Sequence, residues 1–226
     1  MYTIGSERYD EIYKNLCLGV QYVYECGVQG NIAEFGTASG RTAVLLAATQ
    51  AFCNNTLAGI DKGHNIGLRR LFLFDSFVGL PTATSDVDAS SVHVASGLWP
   101  AGGCRGLTKD QLFSAVNQHL PADNIMIFDG WFSESLPTVP AGETFALVHV
   151  DCDLYQSAMD VLDWLFAGDK LNDGSMILFD DWNCNRASPE FGERRAWREI
   201  VEKYHPSFSD CGDYGVASHK FIIHKS

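Results

Sequence analysis

Hydrophobic positions in this chain follow two spacings, one typical of helices and the other typical of buried strands. Apolar residues three or four apart predict helices, beginning with an amphipathic one near the N-terminus. Short unbroken apolar runs predict strands that are buried on both faces. The predicted helices cover 7–26, 42–51, 108–119, 154–166 and 193–204, and the predicted strands cover 30–36, 71–74, 124–128, 145–150, 175–179 and 220–224.

The alternation of strand and helix predicts an α/β fold, a doubly wound and mostly parallel sheet with helices on both faces. We expect one domain over residues 1–226, with a helical lead-in over 1–29. Residues 79–107 are rich in Gly, Ser, Ala and Pro, and a loop of that length is usually a lid or a binding loop, or else disordered. Ser39 is expected to cap the second helix, and Thr108 with Gln111 to form a capping box.

Acidic residues stand where the predicted strands end. Right-handed crossovers place the carboxyl ends of parallel strands along one rim, so these side chains should converge. The densest group, Asp151, Asp153, Asp180 and Asp181, follows two predicted strands. Several negative charges in a partly dry space must take up protons or bind a cation. A hard divalent ion held by oxygen ligands is the simpler solution.

The turn after the first strand has the properties of a cofactor site. Glycines let the backbone approach a ligand, and the N-terminus of the following helix favours a negative group. Ala38 occupies the position where dinucleotide binders carry their middle glycine. Glu34, before the first glycine, suits a ligand with an ammonium group, such as the methionine tail of S-adenosylmethionine. The candidate cofactor residues of this turn are Glu34, Phe35, Gly36, Thr37, Ala38, Ser39 and Gly40.

The ends of the next two strands would complete an adenosyl site. Asp75, followed by Ser76 and Phe77, offers two acceptor oxygens to the ribose hydroxyls. Asp129 offers an acceptor to the adenine amino group. The segment Gly130–Phe132 offers an aromatic face, although Trp131 and Phe132 could also be ordinary core residues.

Charge and cysteine content narrow the class of protein. The 226-residue chain has a net charge of −12, which argues against a nucleic-acid partner, since such binding needs a basic face. The seven cysteines form no Cys-x-x-Cys pair, as expected for reduced thiols. No signal-peptide pattern or membrane-spanning run is visible, so we expect a cytoplasmic protein without a membrane partner.

Four segments carry a resemblance to a known family. In order, they are DSFVGLP (75–81), GWFSESLP (130–137), DCDLYQS (151–157) and FDDW (179–182). Together, within about residues 30–185, they resemble the macrocin O-methyltransferase (TylF/MycF) family. Its members use S-adenosylmethionine and a metal ion to methylate sugar hydroxyls on natural products. The resemblance implies a seven-stranded class I methyltransferase fold.

The resemblance also implies roles for the clustered acids. Asp151, Asp180 and Asp181 match the metal-binding acids of the family and would hold Mg²⁺, while Asp153 matches the general base. From the residues alone, Asp153 could equally cap the helix that begins at Leu154.

The chain departs from the family at three places. His149 stands where the family often has Arg, and it is a candidate for proton transfer or substrate contact, with packing near the strand end as the alternative. Cys152 replaces a glycine, and 183–195 does not follow the family pattern. The charged residues of 190–202 predict a solvated helix face, and His64 and His93 are expected in solvated loops.

The sequence therefore predicts an S-adenosylmethionine- and Mg²⁺-dependent O-methyltransferase. Its partner would be a small-molecule acceptor, a sugar or natural-product hydroxyl that is deprotonated and methylated by in-line displacement. The alternatives are a catechol-type or other small-molecule O-methyltransferase, a NAD-dependent dehydrogenase and a non-catalytic binding module. Association into a homo-oligomer through the N-terminal helix is an expectation by analogy.

Overall fold

Buried apolar strands form the centre of the protein. The computed structural model describes residues 7–57 and 67–225, and places seven strands in one sheet. These strands are β1 (Asn31–Phe35), β2 (Leu71–Asp75), β3 (Ile125–Asp129), β4 (Phe145–Val150), β5 (Leu171–Phe179), β6 (Ser207–Tyr214) and β7 (Ser218–His224).

The strand order is β3-β2-β1-β4-β5-β7-β6. Neighbours from β3 to β5 are parallel, whereas β7 is antiparallel to both β5 and β6. The chain winds outward from β1 to β3 and then returns to place β4 on the other side of β1. In sheets of this kind, ligands bind in the crevice that this reversal opens at the carboxyl ends of the strands. The predicted doubly wound, mostly parallel fold is confirmed.

Helices cover both faces of the sheet because the strand residues alternate between two hydrophobic clusters. One cluster joins the sheet to α1, α2 and α5, and the other joins it to α7 and α8. The helices are α1 (Glu7–Glu25), α2 (Arg41–Leu57), α3 (Asp86–Ser90), α4 (Val92–Ala95), α5 (Lys109–Val116), α6 (Phe132–Ser135), α7 (Tyr155–Ala167) and α8 (Gly192–Tyr204). None of the helices in the described residues is long and apolar enough to cross a membrane.

Most predicted elements are present, with differences at their ends. The capping box of Thr108 and Gln111 is complete at the start of α5. The prediction for Ser39 is wrong by one residue, because α2 begins at Arg41 and the Gly40 carbonyl accepts from the Val44 N–H. Strand β6 had no counterpart among the predicted strands, since its sequence SFSDCGDY is mostly polar.

Residues 79–107 are structured by contacts with the rest of the chain. They contain α3 and α4, each begun by a serine side chain that accepts from a helical N–H. His93, expected in a solvated loop, bonds Asn185 through its ring Nδ1 (2.9 Å to Asn185 Oδ1) and lies against Trp99 with ring centroids 4.5 Å apart. The other histidine expected in a loop, His64, lies outside the described residues.

Candidate active site

A cavity of about 730 Å³ opens at the carboxyl ends of β1 to β5. The predicted site residues divide into those on its wall and those behind or beside it. Those on the wall are Gly36, Ala38, Asp75, Ser76, Gly130, Trp131, Asp151, Asp153, Asp180 and Asp181. Those not found on the wall, among the described residues, are Glu34, Phe35, Thr37, Ser39, Gly40, Phe77, Asp129 and His149.

The turn after β1 and the end of β4 touch through their backbones. Gly36 has a φ of +89°, and a Cβ added to it would lie 1.9 Å from the carbonyl oxygen of Asp151. The Asp151 N–H in turn donates to the carbonyl of Phe35 at 2.9 Å. Only glycine fits at position 36, for both its conformation and its close approach. The cofactor turn and the acid-bearing strand are therefore in direct contact.

The carboxylate of Asp75 is held by donors from the same turn. Its Oδ2 accepts from the Thr37 N–H at 2.8 Å, the Thr37 hydroxyl at 3.0 Å and the Ala38 N–H at 3.0 Å. Its Oδ1 accepts from the Phe77 N–H at 2.7 Å. Because a carboxylate oxygen accepts more than one bond, Oδ1 keeps capacity for a ligand hydroxyl. Thr37 and Phe77, predicted to bind the cofactor, instead orient Asp75.

Three carboxylates meet at the ends of β4 and β5. Asp151, Asp153 and Asp181 each offer an oxygen, and these oxygens all lie within 4.8 Å of one another. Asp180 lines the same cavity, and its Oδ1 lies 3.4 Å from the Ser218 hydroxyl. The sequence predicted Asp151, Asp180 and Asp181 as metal ligands. The closest group of carboxylates contains Asp153 instead of Asp180.

The clustered carboxylates disfavour one another's charge. Burial raises the pKa of Asp151 well above its usual range, and the charges of Asp180 and Asp181 raise it further. Burial also raises the pKa of Asp153, and the charges of Asp181 and Asp180 raise it further. Without a cation, these groups take up protons. An all-oxygen donor set under this electrostatic pressure fits a hard divalent ion.

Asp153 does not cap α7. Its backbone has a φ of +59°, in the left-handed region that is unfavourable for residues other than glycine. The N-cap of α7 is Leu154, and no side chain of the cap residue bonds the helix. The alternative interpretation of Asp153 as a helix cap is therefore wrong. Its carboxylate instead lies in the acid cluster, within 4.8 Å of oxygens of Asp151 and Asp181.

Glu193 is a member of the site that the sequence did not reveal. It was expected on a solvated helix face, but it is 1% exposed, and its Oε2 accepts from the Asp181 N–H at 3.0 Å. Burial raises its pKa well above the usual range, and the charges of Asp181 and Asp180 add to the effect. This hydrogen bond orients the backbone of Asp181. Acids in the first turn of a helix are common, so no local pattern singled out Glu193.

Glu34 and His149 form a buried pair beneath the cavity. Both side chains are fully buried, and His149 Nδ1 lies 2.9 Å from Glu34 Oε1. Burial alone would lower the pKa of His149, but the hydrogen bond and charge of Glu34 raise it above its usual value. Glu34 Oε2 and His149 Nε2 are buried without a hydrogen-bond partner among the described residues, and the predicted contacts of Glu34 with a ligand ammonium group and of His149 with substrate stay predictions. The two residues face each other across β1 and β4, where they are register partners.

The end of β3 carries an exposed acid, and the residues that follow include two aromatics that line the cavity. Trp131 and Phe132 line the cavity, as predicted for an adenine platform. Asp129 is exposed to solvent and lies off the wall, so an adenine contact through its side chain is not supported. The remaining predicted turn residues also have other roles: Phe35 packs in the core against Phe74, with centroids 4.6 Å apart.

Residues 79–107, which we call the roof segment, contribute side chains to the cavity wall. The sequence predicted that this segment closes over a ligand but could not say which side chains would face it. The lining residues it contributes include Leu80, Thr82, Asp88, Trp99 and Cys104. From the N-terminal helix, Tyr9 also reaches the wall.

Comparison with known proteins gives a consistent family. The family model described as Macrocin-O-methyltransferase (TylF) matches residues 1–204. An 8-demethyl-8-(2,3-dimethoxy-alpha-L-rhamnosyl)-tetracenomycin-C 4'-O-methyltransferase from Streptomyces olivaceus is 28% identical over 215 residues, covering 95% of this chain and 69% of the relative. Demethyldecarbamoylnovobiocin O-methyltransferase from Streptomyces niveus is 27% identical over 202 residues, covering 88% of this chain and 70% of the relative. The chain thus spans about 70% of these relatives' lengths.

Solved structures support the same fold. The O-methyltransferase NovP superposes with a TM-score of 0.70 at 20% identity, covering 95% of this chain and 80% of that chain. The calicheamicin methyltransferase CalS11, also described as a TDP-rhamnose 3'-O-methyltransferase, superposes with a TM-score of 0.71 at 23% identity, covering 93% of this chain and 78% of that one. The family match over most of the chain, on a sheet of the expected strand order, establishes that this protein is an O-methyltransferase of the macrocin O-methyltransferase family.

Proposed function

We propose that the protein transfers a methyl group from S-adenosylmethionine to a hydroxyl of a sugar or other natural product, with the help of Mg²⁺. The observation that carries this proposal is the direct contact between the Gly36 turn and Asp151, since it sets the acid cluster beside the candidate cofactor turn. When bound, the cofactor supplies an electrophilic methyl group on a sulfonium, and the ion makes the acceptor hydroxyl more acidic.

The cofactor half of the cavity follows the first three strands. Gly36 and Ala38 leave room for the methionine tail, since neither places a bulky side chain on the wall. Asp75 accepts a ribose hydroxyl through Oδ1, which has one protein donor in the described residues. Trp131 and Phe132 provide an apolar surface for the adenine ring.

The acid half of the cavity binds the ion and moves the proton. Asp151 and Asp181 would hold Mg²⁺, together with Asp180, which lines the same cavity. Asp153 acts as the general base. Its carboxylate lies within 4.8 Å of the ligand oxygens of Asp151 and Asp181, close to where the acceptor hydroxyl must lie.

The charge of the cavity favours an acceptor without phosphate groups. Among the described lining residues there are seven aspartates and no Lys, Arg or His. Two backbone N–H groups of the β1 turn, those of Thr37 and Ala38, already donate to Asp75. Phosphate recognition normally uses such N–H groups or Arg and Lys side chains. We therefore propose a neutral or amine-bearing acceptor in place of a nucleoside diphosphate sugar.

Calorimetric titration with S-adenosylhomocysteine, with and without Mg²⁺, tests the two cofactor assignments separately. We expect binding in both conditions, and we expect Mg²⁺ itself to bind in a separate titration. An acceptor screen would then compare glycosides, amino sugars, catechols and nucleoside diphosphate sugars by release of S-adenosylhomocysteine. Binding of NAD in place of S-adenosylhomocysteine, or full turnover after thorough removal of metal with EDTA, would contradict the proposal.

A further inference from the structure

The roof segment forms hydrogen bonds with the start of α7, the helix that follows Asp153. Asp88, in α3, is 2% exposed although it carries a carboxylate. Its Oδ1 accepts from the Tyr155 N–H at 2.7 Å, and its Oδ2 accepts from the Gln156 N–H at 3.1 Å. A residue 67 positions before Tyr155 thus accepts hydrogen bonds from the first amides of α7.

This contact replaces the cap that α7 lacks locally. The first N–H groups of a helix have no partner within the helix, and a negative group at that end is favoured by the helix dipole. Leu154, at the N-cap, has no oxygen or nitrogen in its side chain, and Asp153 points into the acid cluster. Asp88 therefore provides what a local Ser, Thr or Asp usually provides.

Asp88 is itself fixed in place. The Ser85 hydroxyl donates to Asp88 Oδ2 at 2.8 Å, and the Asp88 N–H donates to the Ser85 hydroxyl at 3.0 Å. Through this arrangement a rigid turn of the roof holds the first two amides of α7. Those amides are the second and third residues after Asp153, whose own backbone is in a strained conformation.

We propose that Asp88 is a positioning residue for the general base. By fixing the start of α7, it holds the turn of Asp153 and Leu154 in the geometry that directs the Asp153 carboxylate toward the acid cluster. Because Asp88 belongs to a segment that lines the cavity, this contact also links the placement of that segment to the placement of the base. This inference rests on the proposed function, in which Asp153 removes the proton.

Hydrogen exchange tests the contact without any acceptor. In Asp88→Ala, with S-adenosylhomocysteine and Mg²⁺ present, we expect the amides of Tyr155 and Gln156 to exchange at least about tenfold faster. Asp86→Ala is the matched control, because Asp86 is exposed in the same helix and its side chain makes no contact with α7 among the described residues. Unchanged exchange in Asp88→Ala would overturn the inference.

A double-mutant comparison tests the role in catalysis. Misplacement of a catalytic group by about 1 Å can cost roughly 100-fold in rate, so we expect a loss of this order in kcat for Asp88→Ala, with little change in the KM for S-adenosylmethionine. Asp88→Asn, which keeps one acceptor oxygen, should recover part of it. In an Asp153→Asn background, Asp88→Ala should have no further effect. Multiplication of the two losses would show a merely structural role and overturn the inference, whereas full activity of Asp153→Asn would instead refute the base assignment in the proposed function.

Discussion

Two carboxylate sites on the same rim of the sheet solve the problem of buried charge in opposite ways. Asp75, at the end of β2, receives four donors from the protein, three of them backbone N–H groups. Asp151 and Asp153, after β4, lie beside Asp181, and burial together with the charges of Asp180 and Asp181 raises their pKa values. The charge of Asp75 is compensated by donors of the fold, whereas on the proposed function the charge of the acid cluster would be compensated by a cation. The proposed roles differ accordingly: Asp75 would orient a ligand, and the cluster would hold an ion.

The largest expected effect separates the two sites by function. Asp181→Asn should lower kcat by on the order of 1,000-fold, because loss of metal assistance removes several kcal/mol of transition-state stabilisation. Its affinity for S-adenosylhomocysteine should stay within about threefold of the parent protein, because different side chains are proposed to bind the metal and the cofactor. Asp75→Asn should show the reverse, with cofactor affinity lowered roughly tenfold or more, since a charge-assisted hydrogen bond is lost.

Steady-state kinetics and calorimetry on both variants would measure this contrast. Asp129→Asn is the control, because Asp129 ends a strand of the same rim but lies in solvent. If Asp181→Asn and Asp75→Asn lowered cofactor affinity by the same factor and kcat by the same factor, the two residues would not belong to functionally separate sites.

A second, smaller effect separates the sites by stability. In metal-free protein, Asp75→Asn should lower the free energy of unfolding by about 1–3 kcal/mol, since buried N–H donors lose a charged acceptor. Asp151→Asn should raise the free energy of unfolding, because it removes one of several mutually repelling charges. Urea unfolding in EDTA would measure both values. If both variants were destabilised, the acid cluster would be compensated within the protein, contrary to the comparison.

The third effect is the dependence of stability on pH. The pKa values of Asp151, Asp153 and Glu193 are raised in the folded protein, so the folded state holds more protons than the unfolded chain above pH of about 4. Their contribution to stability is present at low pH and is lost as pH rises through the raised pKa values. Bound Mg²⁺ should reverse this loss, because it favours the charged carboxylates.

Thermal unfolding between about pH 5 and pH 8, with EDTA or with Mg²⁺, would measure this effect. We expect the gain in Tm on adding Mg²⁺ to increase with pH, by a few degrees across the range. In Asp181→Asn the gain should be smaller at every pH. A gain that is constant with pH would mean that the cluster is already charged without the ion.

The fold was largely predictable because its strands and helices follow patterns among residues that are close together in the sequence. Apolar runs set the buried strands, and Phe145–Val150 matches β4 at both ends. The convergence of Asp75, Asp151 and Asp181 on one cavity also followed from the sequence, since parallel strands end on one side of a sheet. Strand β6 was missed because it lies at the edge of the sheet, where polar residues face solvent and the apolar pattern fades.

The roles of individual side chains were harder to predict because they depend on contacts between distant residues. The capping of α7 by Asp88 and the burial of Glu193 under Asp181 join segments with no shared local pattern. His149 and Glu34 show the same limit: each stands next to the site in sequence, yet the two bond each other inside the sheet. A strand-terminal acid indicates which rim it belongs to, and only the packing decides whether it faces a ligand.

The close approach of Gly36 to the Asp151 carbonyl has a consequence for how this scaffold can diversify. No side chain separates the turn after β1 from the strand that bears the clustered acids, and a main-chain hydrogen bond joins the two. On the proposed function, differences in acceptor preference would then arise from side chains elsewhere on the cavity wall, among them those of residues 79–107. Grafted roofs from related enzymes should retain transfer chemistry wherever an acidic residue is kept at position 88.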